Sequence, residues 1–156
     1  MREFIEQNWG NLASVAGLII SMVTLLFARR ASQAARGARE AVLKRNVADD
    51  LQETARQSQE ILLFFDVGKW EIARLKADEL QILASWLITR WEDRLDEMSK
   101  VRMSPASVQL RSIVEVLDRI GKNDVSEQQK RNLLMSARRA QEVFIEVHGK
   151  FLAKID

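Results

Sequence analysis

From Gln7 to Ala28 the chain carries no charged residue, and from Leu12 to Ala28 it is almost wholly apolar. That length falls within the roughly 17 to 25 residues that cross the hydrocarbon core of a bilayer as a helix. The first expectation is therefore a transmembrane helix over residues 8–28, with Trp9 as an interfacial aromatic anchor. Leu12, Val15, Leu18, Ile19, Ile20, Met22, Val23, Leu25, Leu26 and Phe27 are large and apolar, as a lipid-facing surface requires.

The remaining positions of this stretch follow a different pattern. Gly10, Ser14, Gly17, Ser21, Thr24, Ala28, Ala31, Ala35 and Ala38 are small or hydroxylated and recur at alternating steps of three and four, closing on Val42. Such spacing places them on one stripe of one helix. Small residues on one face let helices approach closely in lipid, and Gly17 with Ser21 forms a small-xxx-small pair. The expectation is a homo-oligomer of parallel copies held by this stripe, which also lines a pore if the hydroxyls face a common axis.

Directly after the run come Arg29, Arg30, Arg36, Arg39, Lys44 and Arg45 against Glu40 alone, a net +5, whereas Arg2, Glu3 and Glu6 nearly cancel before it. The positive-inside rule then puts the amino terminus outside and the remainder in the cytoplasm, with the inner membrane as the location. A cleaved signal peptide is the competing reading. It fits poorly, because the positive charge follows the apolar run and no small-residue cleavage pattern is present. Residues 46–156 hold 17 basic and 19 acidic side chains, so the overall +2 arises from the collar at residues 29–45. A basic collar reads first as attraction to anionic lipid headgroups and second as a nucleic-acid contact. The absence of cysteine fits a reducing compartment and leaves no thiolate metal site.

The rest of the chain reads as all-α. A larger stripe, Leu43, Val47, Leu51, Ala55, Ser58, Leu62 and Phe65, continues the first helix to about Phe65, making it about 85 Å long at 1.5 Å per residue. Asp66, Gly68 and Lys69 form the turn. A second helix is expected from Lys69 to Met98, with Ile72, Leu75, Leu80, Leu83, Trp86, Leu87, Trp91, Leu95 and Met98 inward. Ser104 and Pro105 resemble a helix start, followed by the stripe Ala106, Leu110, Ile113, Leu117 and Ile120 up to Gly121. Ser126 and Gln129 have the spacing of a capping box opening a last helix with Leu133, Ala137, Ala140, Phe144, Val147, Phe151 and Ile155 inward. The organisation is thus a transmembrane helix (8–28), a basic juxtamembrane helical stalk (29–45) and a cytoplasmic four-helix bundle (46–156), with no flexible linker between them.

Catalytic chemistry has little to work with. The chain has one histidine, no cysteine or tyrosine and no glycine-rich phosphate loop, so neither an enzyme nor a cofactor is expected and no metal site is assigned. A divergent helical ribonuclease is a remote alternative, prompted by His148 beyond Arg138 and Arg139. Eight or nine residues intervene, however, where four to six are required. Glu92, Asp93, Asp96 and Glu97 repeat at four-residue steps, which suits either a divalent ion or a solvated face relieved by Arg90, Arg94 and Lys100. Trp70, Trp86 and Trp91 on an apolar stripe read as core before they read as nucleobase platforms. Lys130, Arg131, Arg138 and Arg139, joined by Arg102 or Arg111, are the best candidates for an anionic ligand, although Glu127, Glu142 and Glu146 can neutralise them.

In layout the chain resembles small single-pass membrane effectors of bacterial anti-phage defence, of the CRISPR-ancillary or nucleotide-signalling type. The resemblance spans the whole chain in outline and rests on no specific motif, so no site residue is carried over. It implies an oligomeric effector that permeabilises or depolarises the inner membrane when its cytoplasmic domain senses a nucleotide, an oligonucleotide or a defence-protein partner. The alternative is a membrane-tethered scaffold or adaptor that docks a cytoplasmic partner, with the stripe serving only to dimerise it.

Overall fold

The computed structural model describes residues 2–120 and 125–154, with side chains from residue 13 onward. Gly121 and Ile155, and the side chains of Trp9 and Leu12, lie outside this description, as does the side of the stripe at Gly10. The chain is all-α, and its described residues form four helices: α1 (Arg2–Asp66), α2 (Trp70–Arg90), α3 (Glu97–Ile120) and α4 (Glu127–Leu152). It divides into two units, Met1–Leu43 and Lys44–Asp156.

The first unit is helical throughout its described residues, and its side chains from residue 13 to 39 are exposed. Leu18 is 69% and Phe27 66% exposed, so this apolar surface finds no cover among the described residues. By length and composition this helix suffices to cross a membrane.

The second unit is a helical bundle of the last third of α1 with α2, α3 and α4. Its up-and-down order follows from cross-helix pairs. Trp91 Nε1 donates to Asp50 at 2.8 Å, tying the end of α2 to α1. Arg74 pairs with Asp118 at 2.9 Å, and the Ser85 and Ser107 hydroxyls meet at 3.3 Å, running α3 antiparallel to α2. Arg102 pairs with Glu146 and Lys154 with Asp96, running α4 antiparallel to α3. The core holds Phe65, Phe144, Leu51, Ile61, Leu80, Leu87, Met103, Leu110 and Ile113, all essentially inaccessible.

Helix ends follow local chemistry. α1 stops where Gly68 takes φ +70°, a left-handed conformation that costs glycine little and a side-chain residue much. The Gly68 and Lys69 amides donate back to the Phe65 and Phe64 carbonyls at 3.1 and 2.9 Å, and the Trp70 ring lies 5.5 Å from that of Phe65. At α4 the capping box is complete: the Gln129 amide donates to Ser126 Oγ at 3.3 Å, and the Ser126 amide to Gln129 Oε1 at 3.0 Å.

The boundary between the second and third helices differs from the sequence expectation. α2 ends at Arg90, and α3 starts at Glu97 rather than at Ser104. Asp96 is the reason. Its Oδ1 accepts from the Ser99 amide at 2.6 Å, which is N-cap geometry, and its carbonyl accepts from the Lys100 amide at 3.1 Å. Pro105 therefore sits inside α3. It removes one amide donor opposite the Val101 carbonyl, and Val101 is exposed to solvent that can replace the bond.

Two interior stripes also differ. In α2 the buried residues are Ala73, Ala77, Leu80, Ala84 and Leu87, while Ile72, Leu75, Ile82 and Trp86 are exposed. In the lower part of α1 the buried series is Val47, Leu51, Thr54, Ser58, Ile61 and Phe65, with Ala55 and Leu62 half-buried beside it. Thr54 and Ser58 are admitted because each hydroxyl is satisfied within its own helix, donating to the Asp50 carbonyl at 2.8 Å and the Ala55 carbonyl at 2.6 Å. The stripes expected for α3 and α4 are buried from Ala106 to Leu117 and from Leu133 to Val147, extended in α3 by Ser99 and Met103.

Candidate functional site

The exposed stripe of α1 offers a surface built by spacing alone. Ser14, Gly17, Ser21, Thr24, Ala28, Ala31, Ala35 and Ala38 are all exposed. A methyl group placed on Gly17 would meet nothing within 4 Å, and the same holds at Gly37, so neither glycine is demanded by packing inside the chain. Ser21 Oγ donates to the Gly17 carbonyl and Thr24 Oγ1 to the Ile20 carbonyl, both at 2.8 Å. These hydroxyls are thus satisfied in an apolar surrounding and still have lone pairs to offer a neighbour or water.

The collar is exposed at Arg29, Arg30, Arg36 and Arg39 and half-buried at Lys44, while Arg45 lies 3.9 Å from Asp49. Arg29, Arg30, Arg36 and Arg39 are spread around the helix, forming a cationic band rather than a pocket, the arrangement suited to a sheet of phosphates.

The four cations of the expected anion site are all on α4, where Arg131 and Arg138, one heptad apart, share a face and Lys130 and Arg139 lie to either side of it. Arg138 and Arg139 are adjacent, hence about 100° apart around the axis, and both are exposed. Arg131 Nε donates to the Glu127 carbonyl at 3.4 Å, and Lys130 is half-buried. Arg102 and Arg111, the expected helpers, are engaged by Glu146 and Glu115. Glu146, held below the usual carboxylate range by Lys150 and Arg102, serves those two cations rather than Arg138 or Arg139.

Glu92, Asp93 and Asp96 fall in the turn between α2 and α3 and Glu97 opens α3, so the four-residue steps of the acidic group do not lie along one helix. Asp96 is spent on the α3 cap and on Lys154, and these hydrogen bonds hold its carboxyl well below the ordinary range. Among the described residues no cluster of three or more carboxylate or imidazole groups is arranged to hold a metal. His148 is half-buried on α4, and the nine residues from Arg139 amount to about 13 Å of helix.

Two features were not legible beforehand. The indole of Trp91 is buried and hydrogen-bonded to Asp50, and Arg90 lies over both Trp86 (4.5 Å) and Trp91 (4.7 Å) while reaching Asp50 at 3.4 Å. Asp50 and Trp91 are 41 residues apart in sequence, so no local signal could have paired them. The second feature is a groove of about 290 Å³ between α3 and α4, where Ser112, Val116, Gln129, Asn132 and Ser136 surround Ile113 and Leu133. It is just under the size of ordinary ligand sites and has no charged lining among the described residues, so it is separate from the α4 cations.

No family model, characterised protein or solved structure matches this chain.

Proposed function

We propose that the chain is a self-assembling membrane effector. α1 crosses the inner membrane with its amino terminus outside, and copies associate in parallel through the stripe. The bundle, in the cytoplasm, changes that packing in response to a nucleotide, oligonucleotide or protein signal, and the membrane is permeabilised or depolarised. The layout is that of the anti-phage effectors the sequence resembles. The observation that carries the reading is the exposed stripe of α1, where a methyl group on Gly17 would meet nothing within 4 Å among the described residues. In lipid, such a face gains its worth only against another helix. Ser14, Ser21 and Thr24 on that face supply the hydroxyls of a hydrated path around an axis. The stripe and the bundle segment both belong to α1.

A membrane-tethered scaffold is the second reading, and one observation favours it: the Ser21 and Thr24 hydroxyls are satisfied within their own helix, so the stripe can pack dry in a plain dimer. The two readings separate in a membrane-potential assay run with crosslinking. Under the effector reading, Ser21→Leu with Thr24→Leu abolishes depolarisation while the oligomer persists, and Thr24→Ser retains it. If wild-type protein never depolarises cells, with its genomic neighbours and under phage challenge, the scaffold reading replaces the effector. Assembly has its own test: Gly17→Leu should lose the crosslinked oligomer in detergent, and an unchanged oligomer removes the stripe from both readings.

A further inference from the structure

We propose that the bundle segment of α1 has two packing registers, and that the contact of Asp50 with Trp91 and Arg90 is the latch that selects the observed one. In the observed register the middle of α1 sends Thr54 and Ser58 into the core. Their hydroxyls bond only to carbonyls of α1 itself, so they place no hydrogen bond across to α2, α3 or α4 that would fix the rotation of the helix. Immediately beside this stripe lies a second one, Ala55 and Leu62, half-buried. Successive residues are 100° apart around a helix. A turn of α1 by roughly 40° therefore moves Ala55 and Leu62 inward and Thr54 and Ile61 toward the edge, while Val47, Leu51, Ser58 and Phe65 stay inside in both positions.

Isoleucine for leucine is a volume-conserving swap of the kind that cores tolerate, and threonine for alanine takes a hydroxyl out of the core at the expense of two heavy atoms of packing. It also relieves a defect. Gln57 Oε1 is buried with no hydrogen-bond partner, and because Gln57 is on the α2-facing side with Asp50 and Thr54, the same turn carries it outward to water. What opposes the turn is at the rim. Asp50 accepts from Trp91 Nε1 at 2.8 Å and from Arg90 at 3.4 Å, and Arg90 is itself held over the rings of Trp86 and Trp91. The turn draws Asp50 away from Trp91 and breaks both bonds. The inference itself rests only on the bundle and stands or falls separately from the proposed membrane activity.

The chain has no cysteine, so a single introduced thiol reports its own burial. Thr54→Cys and Ala55→Cys are each made in the full-length protein in detergent micelles, and the rate of maleimide modification is measured. With the latch intact, the thiol at position 54 reacts at least about tenfold more slowly than that at 55, as burial dictates. In the Asp50→Ala background the order reverses, and in Asp50→Asn, which still offers Trp91 an acceptor, it is kept. Trp91→Phe removes the donor while retaining an aromatic ring and gives the same reversal; it decides the matter if Asp50→Ala loses its helical signal. An unchanged order in the Asp50→Ala and Trp91→Phe backgrounds overturns the proposal. So does a folded variant in which both thiols accelerate together, since that marks general loosening without a second register.

Discussion

Replacing Asp96 with alanine tests the one helix boundary that the sequence pattern misplaced. In the folded chain its Oδ1 accepts from the Ser99 amide at 2.6 Å, and its other oxygen meets the Lys154 ammonium. Loss of an N-cap acceptor costs typically about 1 kcal/mol. The ion pair adds little, because the two side chains are 36% and 59% exposed. Screening at such exposure holds it to a few tenths of a kcal/mol. Together these give about 1.5 kcal/mol, or roughly 5–8 °C in the thermal midpoint of a bundle of about 110 residues. Asp96→Asn keeps the capping acceptor and loses only the charge, so it should cost no more than about 0.5 kcal/mol.

The pH dependence follows from the direction of the Asp96 shift. Its folded-state pKa is depressed, chiefly by the hydrogen bonds from Lys154 and Ser99. The carboxylate therefore contributes its stability above the unfolded-chain value of about 3.9, and loses it as pH falls through the lower folded-state value. Urea titrations of full-length protein in detergent, followed by tryptophan fluorescence at pH 7 and pH 3, should show the gap between wild type and Asp96→Ala narrowing at the lower pH. An asparagine variant as damaged as the alanine variant would refute the capping argument, as would an alanine variant indistinguishable from wild type.

Three further outcomes check the fold and its placement. Ala84→Leu, which forces a large side chain into a fully buried position of α2, should lower bundle stability by about 1–3 kcal/mol or more in the same titration, whereas Ile82→Ala, 63% exposed, should change it by less than about 0.5 kcal/mol. Phe144→Ala, at a position with no solvent access, should cost about 3–5 kcal/mol by the same measurement, unless the surrounding helices collapse into the cavity. Under the proposed orientation, a reporter fused to the carboxyl terminus should be active only if it works in the cytoplasm; activity of a periplasmic reporter there would reverse the orientation.

The sequence by itself determined that the chain is all-α, that its first helix is long enough and apolar enough to cross a membrane, and where that helix and the last one cap. These are local matters. An uncharged run, a glycine at a left-handed turn such as Gly68, and a serine three residues before a glutamine such as Ser126 and Gln129 act through neighbours in the chain, and periodicity exposes them. Only the tertiary structure decided which side of α2 faces inward. Its apolar residues are more than half of the helix, so the pattern admits several inner faces, and packing in the bundle put Ala73, Ala77 and Ala84 inside and left Leu75, Ile82 and Trp86 outside. The same holds for Thr54, a polar residue accepted into the core because the Asp50 carbonyl satisfies it, and for the pairing of Asp50 with Trp91 across two helices. Burial depends on what lies opposite, and what lies opposite is set by residues tens of positions away, whose distance in the chain carries no record of the contact.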